Sequence, residues 1–199
     1  EEGIRTVRNR AVAKRAGVSL GSTTYHFASI EELIISAFQY WRERALLVEN
    51  PFYQQTAELL APYQGGTVPK EQRTEMARQI YEISVGYIQN QLAGKREDRL
   101  LELAFHHESV RYPTLHTLVQ AEWQAQFDYL VSVHQIMGSP RPKADARLTL
   151  ALFRQLEQAT VLARSTAPDM PMIRDVLHRH TCLCFDVDLP EHDSTGANS

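Results

Sequence analysis

A chain of 199 residues, 43% hydrophobic and 23% charged, is long enough to bury one or two cores. Its two cysteines, Cys182 and Cys184, are too few and too close for a disulfide framework, and no apolar run is long enough to span a bilayer, so a reducing, cytoplasmic setting with no membrane partner is expected. The formal net charge of −3 is unevenly spread: residues 3–30 hold Arg5, Arg8, Arg10, Lys14 and Arg15 and no acid, and the acidic excess lies in the rest of the chain.

Alternating β-patterns are absent, and Pro and Gly fall between segments of helical period, so an all-α chain is expected. The first residue is Glu1 rather than Met, and "EEGI" reads as the end of a helix followed by a turn, so an N-terminal segment with a first helix is expected upstream. The next helix is expected over Val7–Ala16 with Thr6 as its N-cap, closed by Gly17. Ser19 caps a short helix through His26. Ser29 and Glu32 form a capping box that opens a long helix over Ile30–Glu49. Further helices are expected over Tyr53–Leu60, Lys70–Leu92, Arg96–Val110, Pro113–Met137, Lys143–Arg164 and Met172–Phe185, with breaks at "GGTVP" (65–69), Gly94, "GSPRP" (138–142) and "APDMP" (167–171). The last ten residues, 190–199, have almost no apolar content and read as a disordered tail.

Two short helices joined by a Gly-containing turn form a helix-turn-helix unit, whose second helix enters the DNA major groove while the first crosses the backbone. Here the second helix carries small hydroxyls, Ser22, Thr23 and Thr24, behind Leu20 and Gly21, and ends in Tyr25 and His26, which can donate to phosphate oxygens. Arg8 and Arg10, with Lys14 and Arg15, add charge that releases counterions on binding. On turn and charge alone, a small helical domain with a capped turn and a solvated basic face remains open.

The stretch "AVAKRAGVSLGSTTYHFASIEELI" (11–34) resembles the signature of the tetracycline-repressor (TetR) family of bacterial transcription regulators: an Ala16-Gly17-Val18-Ser19 turn, a short helix ending in Tyr25-His26-Phe27, and a Ser29-Ile30-Glu31-Glu32-Leu33 start to a long helix. The resemblance covers about the first 45 residues; beyond them only the all-helical architecture is shared. It implies a DNA-binding domain over 1–45 and a helical effector-binding and dimerisation domain over 46–189. It also implies that Arg8, Arg10, Leu20, Gly21, Ser22, Thr23, Thr24, Tyr25 and His26 face a double-stranded DNA operator. Two departures stand out. Ile30 replaces a frequent phosphate-contacting Lys, and Leu20 can touch a thymine methyl but reads no donor or acceptor.

The same resemblance implies a homodimer built on the last two helices, for which Leu148, Leu152, Leu156, Ile173, Val176, Leu177 and His180 are candidates. The alternative for each is burial in the chain's own core. It also implies a small-molecule effector held by the middle helices, with Trp41, Tyr81, Tyr87, Phe105, His106, Tyr112, Trp123 and Phe127 as candidates, although aromatic stripes at helical spacing are more often core.

Chemistry of other kinds finds little support. There is no nucleophile elbow, no phosphate-cradling Gly loop, no H-E-x-x-H and no sign of a cofactor. In "LHRHTCLCFD" the pairs His178/Cys182 and His180/Cys184 stand at i, i+4, a usable ligand spacing, but a helix at a dimer interface accounts for them as well, and no metal is expected. The reading is a ligand-responsive DNA-binding repressor rather than an enzyme. The alternatives are an all-helical small-molecule-binding protein or enzyme with a vestigial DNA-binding unit, and a protein-interaction module whose basic head meets an acidic partner.

Overall fold

The computed structural model describes residues 8–44, 50–92, 96–162 and 168–190. Among them every regular element is helical: α1 (Asn9–Ala16), α2 (Leu20–His26), α3 (Ile30–Arg44), α4 (Pro51–Leu60), α5 (Arg73–Leu92), α6 (Arg96–Ser109), α7 (Pro113–Ile136), α8 (Pro142–Leu162) and α9 (Met170–Phe185). Single 3-10 turns stand at Ala61–Tyr63 and Lys70–Gln72. No helix among the described residues is long and apolar enough to cross a membrane. Thr6, Gly94, residues 45–49 and 163–164, and the tail from 191 onward lie outside the described residues.

Helix starts differ from expectation where a polar cap precedes a proline. Asn50 accepts from the Phe52 amide at 3.0 Å and Asp169 from the Met172 amide at 3.1 Å, with Pro51 and Pro171 in the first turns. α4 and α9 therefore begin two residues earlier than their apolar stripes suggest.

The chain divides into two compact units, Glu1–Leu47 with Leu100–Glu122, and Val48–Arg99 with Trp123–Ser199. In the first, Phe38 is fully buried and its ring meets Phe105 edge-on at 5.3 Å, with Trp41 5.9 Å from Phe105. Arg42 Nε lies 3.5 Å from Glu122 Oε2.

The second unit is organised around α5, which packs along α9 and against α4 and α8. α5 buries Met76, Ala77, Ile80, Tyr81, Ser84, Val85, Ile88 and Gln91, a wider arc than one amphipathic stripe, as a central helix requires. The Val68 amide donates to the Ile136 carbonyl at 2.7 Å and so ties the loop before α5 to the end of α7. At Gly138 (φ +77) the missing Cβ makes room for the Arg73 guanidinium, whose Nε donates to the Val68 carbonyl at 3.2 Å; a Cβ there would stand 2.3 Å from Arg73 Nη2.

A buried polar string crosses this core. Thr149 Oγ1 donates to the Asp145 carbonyl at 2.9 Å, leaving its oxygen to accept from His134 Nε2 (2.9 Å) and His180 Nε2 (3.1 Å). In this arrangement both rings carry a proton on Nε2. A second proton on His134 would go to Nδ1, which is buried and has no hydrogen-bond partner. Burial accordingly lowers both histidines to about 4. Cys184 Sγ lies 3.4 Å from His180 Nε2, and burial pushes its thiol up to about 12, so it stays protonated.

Two outcomes follow for stability. Gly138→Ala forces an alanine into a left-handed conformation and displaces Arg73, and should cost about 1–2 kcal/mol in urea unfolding. Because the folded state resists protonating His134 and His180, the unfolded chain takes up protons first as pH falls below about 6.5. Stability is then full above that value and declines toward pH 4, by at most about 1.4 kcal/mol per pH unit for each ring and less for the half-buried His180. Glu157, whose carboxyl burial raises, opposes this trend in part. His134→Gln, which keeps a donor toward Thr149, should flatten the slope of unfolding midpoint against pH.

Candidate nucleic-acid interface

The turn between α1 and α2 is fixed by backbone chemistry. Gly17 adopts the left-handed conformation (φ 68, ψ 23), and the Val18 amide bonds back to the Ala13 carbonyl at 3.0 Å, closing α1. Two residues later Ser19 is extended, and its Oγ accepts from the Ser22 amide at 3.1 Å, opening α2. The structure starts α1 at Asn9 with Arg8 as a cap whose side chain makes no capping bond. At the head of α3 Ser29 Oγ accepts from the Glu32 amide at 3.1 Å as the capping box requires, while the Glu32 carboxylate reaches one residue past the cap and accepts from the Ala28 amide at 2.6 Å.

α1 and α2 pack on each other, and each buries one small residue, Ala13 in α1 and Thr23 in α2. Small residues let the two axes approach closely, and everything larger is turned outward. Leu20 is 42% exposed and Tyr25 85%; Gly21, Thr24 and His26 are exposed, and Ser22 is half-buried. The Tyr25 and His26 rings meet edge-on at 5.2 Å. Arg8, Arg10, Lys14 and Arg15 are exposed, and the first acid in the described chain is Glu31. An exposed Leu and Tyr on a surface of one charge sign form a face that gains by being covered by an anion.

Thr23 does not belong to that face. It is 6% exposed and packs inward, and its hydroxyl donates to the Leu20 carbonyl of its own helix at 2.8 Å, so it leaves the set of candidate contacts. The Thr24 hydroxyl proton is committed inward as well, to the Leu20 and Gly21 carbonyls at 3.2 Å. In this rotamer Thr24 offers an acceptor, suited to a base amino group and not to a phosphate oxygen. The Ser19 and Ser22 hydroxyls lie 3.0 Å apart, so one donates to the other and only one proton of the pair points away. Val18, 47% exposed two residues before Leu20, adds a further exposed apolar side chain that its place in the turn concealed.

The effector candidates divide between the two units. Trp41, Phe105, His106 and Tyr112 lie in the first unit, where Trp41 and Phe105 touch; Tyr81, Tyr87, Trp123 and Phe127 lie in the second. Tyr87 stacks on Phe153 (5.6 Å) and donates to Glu157 Oε1 at 2.7 Å, while Arg99 Nη1 stands 3.7 Å from the other carboxylate oxygen. Tyr81 meets the His178 ring at 5.8 Å, Trp123 lies under Arg154 (4.4 Å) and Phe127 under Arg147 (4.5 Å).

Of the dimer candidates, Leu156, Ile173 and Leu177 are 1–2% exposed within the second unit's own core. His180 is tied to Thr149, and Leu152 and Val176 are half-buried. Leu148 is 58% exposed, as are Met172 (43%) and Leu183 (64%) on α9, which their helical stripe did not single out. His178 turns to the Leu189 carbonyl (3.2 Å), away from His180, and among the described residues no three His, Cys, Asp or Glu are placed to hold a metal.

Gly21 separates folding from binding. A Cβ there would meet nothing nearer than Ser19 Oγ at 3.7 Å, an ordinary contact, and the residue lies within a helix, where alanine is favoured over glycine. Gly21→Ala should therefore leave stability unchanged or raise it by up to about 1 kcal/mol. Gly17→Ala, at a left-handed position, should lower it by about 1 kcal/mol. Thermal melts of the two variants check both.

No family model matches the chain, and no curated protein matches it. The fold is shared with the crystal structure of a presumed transcriptional regulator from Streptomyces coelicolor A3(2), at a TM-score of 0.57, over 91% of this chain and 90% of that one, with 24% identity. At that identity the likeness is one of all-helical fold.

Proposed function

We propose that this chain is a transcription regulator of the tetracycline-repressor type: a homodimer that binds a palindromic DNA operator and is released by a small-molecule effector. The observation that carries the reading is the two-helix unit with no acid from Arg8 to Ile30, whose second helix turns Leu20, Gly21, Ser22, Thr24, Tyr25 and His26 outward. The regulator description borne by the Streptomyces coelicolor protein of the same fold is consistent with it. In this reading α2 lies in the major groove. Leu20 and Val18 meet thymine methyls, Thr24 accepts from a base, and Tyr25, His26, Arg8 and Arg10 hold phosphates. Exposed Met172 and Leu183, on one stripe of α9 with Val176, are the seam for a second copy. An effector acts only through a preference for the state that does not bind DNA, so it lowers operator affinity by the same factor as the operator lowers its own. No catalytic step is part of this function.

The test is fluorescence anisotropy of the full chain with DNA flanking its own gene and with scrambled DNA, over a salt series. The expected result is a preference of about a thousandfold or more, with affinity falling steeply as salt rises. Arg10→Ala should weaken both DNAs alike and reduce the salt slope by about one. Gly21→Ala should weaken the flanking DNA alone. Equal binding to both DNAs, together with no fragment enriched from the whole genome, overturns the reading. Leu183→Glu should convert dimer to monomer in sedimentation and take the operator preference with it.

A further inference from the structure

Between α7 and α8 the second unit leaves an open groove of about 990 Å³, near the upper end of volumes that hold small organic ligands. Its α7 wall presents Phe127 and Val131, and its α8 wall Ala144, Leu148 and Ala151 at i, i+4, i+7. The two alanines keep the groove open, since neither side chain is long enough to fill it. Leu148 is left 58% exposed above an apolar floor, a cost that covering would recover.

Two of the three charges that line the groove are cationic, against the acidic balance of the body. Lys143 and Arg147 stand one turn apart on α8, both exposed, and among the described residues no carboxylate pairs with either. Asp128, the acid on the opposite wall, holds the Gln124 amide at 2.8 Å. The Arg147 guanidinium sits 4.5 Å over the Phe127 ring. That contact occupies the face of the guanidinium and leaves the N–H donors along its edge for a planar anion. Two cations with no carboxylate partner among the described residues, one already positioned by an aromatic ring, thus border an apolar trough on a body whose formal charge is otherwise acidic.

We infer that this groove binds an amphipathic organic anion. Its carboxylate or similar head lies at Arg147 and Lys143, and its apolar chain or ring lies along Phe127, Val131 and Leu148. The inference deepens the effector part of the function proposed above by giving that effector a place and a chemical class. A second copy of the chain fits the groove less well, because an isologous contact there would bring two pairs of like cations onto one seam.

The experiment is isothermal titration calorimetry on the full chain without DNA, using decanoate as the anionic probe and decyltrimethylammonium as a cation with the same tail. Decanoate should bind at least tenfold tighter than the ammonium. Arg147→Gln should weaken decanoate by about tenfold, the loss of a charge-assisted pair. Arg147→Lys should fall between the two, and Leu148→Gln should weaken both probes. Both positions, Arg147 and Leu148, are exposed, so circular dichroism should show unchanged folding of all three variants. Equal affinity for the two probes, no decanoate binding, or indifference to Arg147→Gln overturns the inference. So does a Leu148→Gln variant that dissociates a dimer in sedimentation while decanoate fails to bind, which assigns the groove to a second copy. Because DNA is absent from the assay, each of these failures leaves operator preference standing, and a loss of operator preference leaves the groove standing.

Discussion

The left-handed turn at Gly17 sets the angle between α1 and α2, and what the N-terminal unit can offer to a partner depends on that angle. With the Val18 amide bonded back to Ala13 and Ser19 capping the next helix, only three residues, Gly17, Val18 and Ser19, separate the two helices. So short a connection leaves no freedom to slide. Ala13 and Thr23 are then the buried side chains of α1 and α2, and most of the remaining surface of α2 faces outward as a consequence. The basic charge, the exposed Tyr25 and the hydroxyls owe their common face to one backbone conformation that glycine adopts without strain.

Local signals of this sort were legible in the amino-acid order. Gly17, Ser19 and the Ser29–Glu32 box each act within four residues, so their effect can be read where they stand. The side of a short helix is harder to read. Thr23 belongs to the same run of hydroxyls as Ser22 and Thr24, and only the packing of α2 on α1 decides that it points inward. The dimer candidates show the same limit on a larger scale. An apolar stripe states that a face is covered without stating by what, and Leu156, Ile173 and Leu177 are covered by their own unit, whereas Leu183 is left outside.

Contacts distant in sequence were illegible for a different reason. Tyr87 and Glu157 are 70 residues apart, and Thr149 bonds to histidines 15 residues before it and 31 after it. No periodicity encodes such a meeting. Their polar groups were visible as residues but not as partners, so the effector candidates chosen for aromatic bulk included rings such as Tyr87 whose polar atoms are already satisfied by protein. The groove between α7 and α8 escaped notice because its defining residues are alanines, and an alanine stripe looks like ordinary helix in sequence.

The outward residues of α2 form their hydrogen bonds among themselves and with their own helix: Ser19 with Ser22, and Thr24 with the Leu20 and Gly21 carbonyls. Among the described residues none of these side-chain bonds reaches another helix. Duplicated copies of this gene could therefore drift apart at the outward positions among 20–26, one at a time, without passing through an unfolded intermediate. A lineage carrying this unit can remake that face while its body is inherited unchanged.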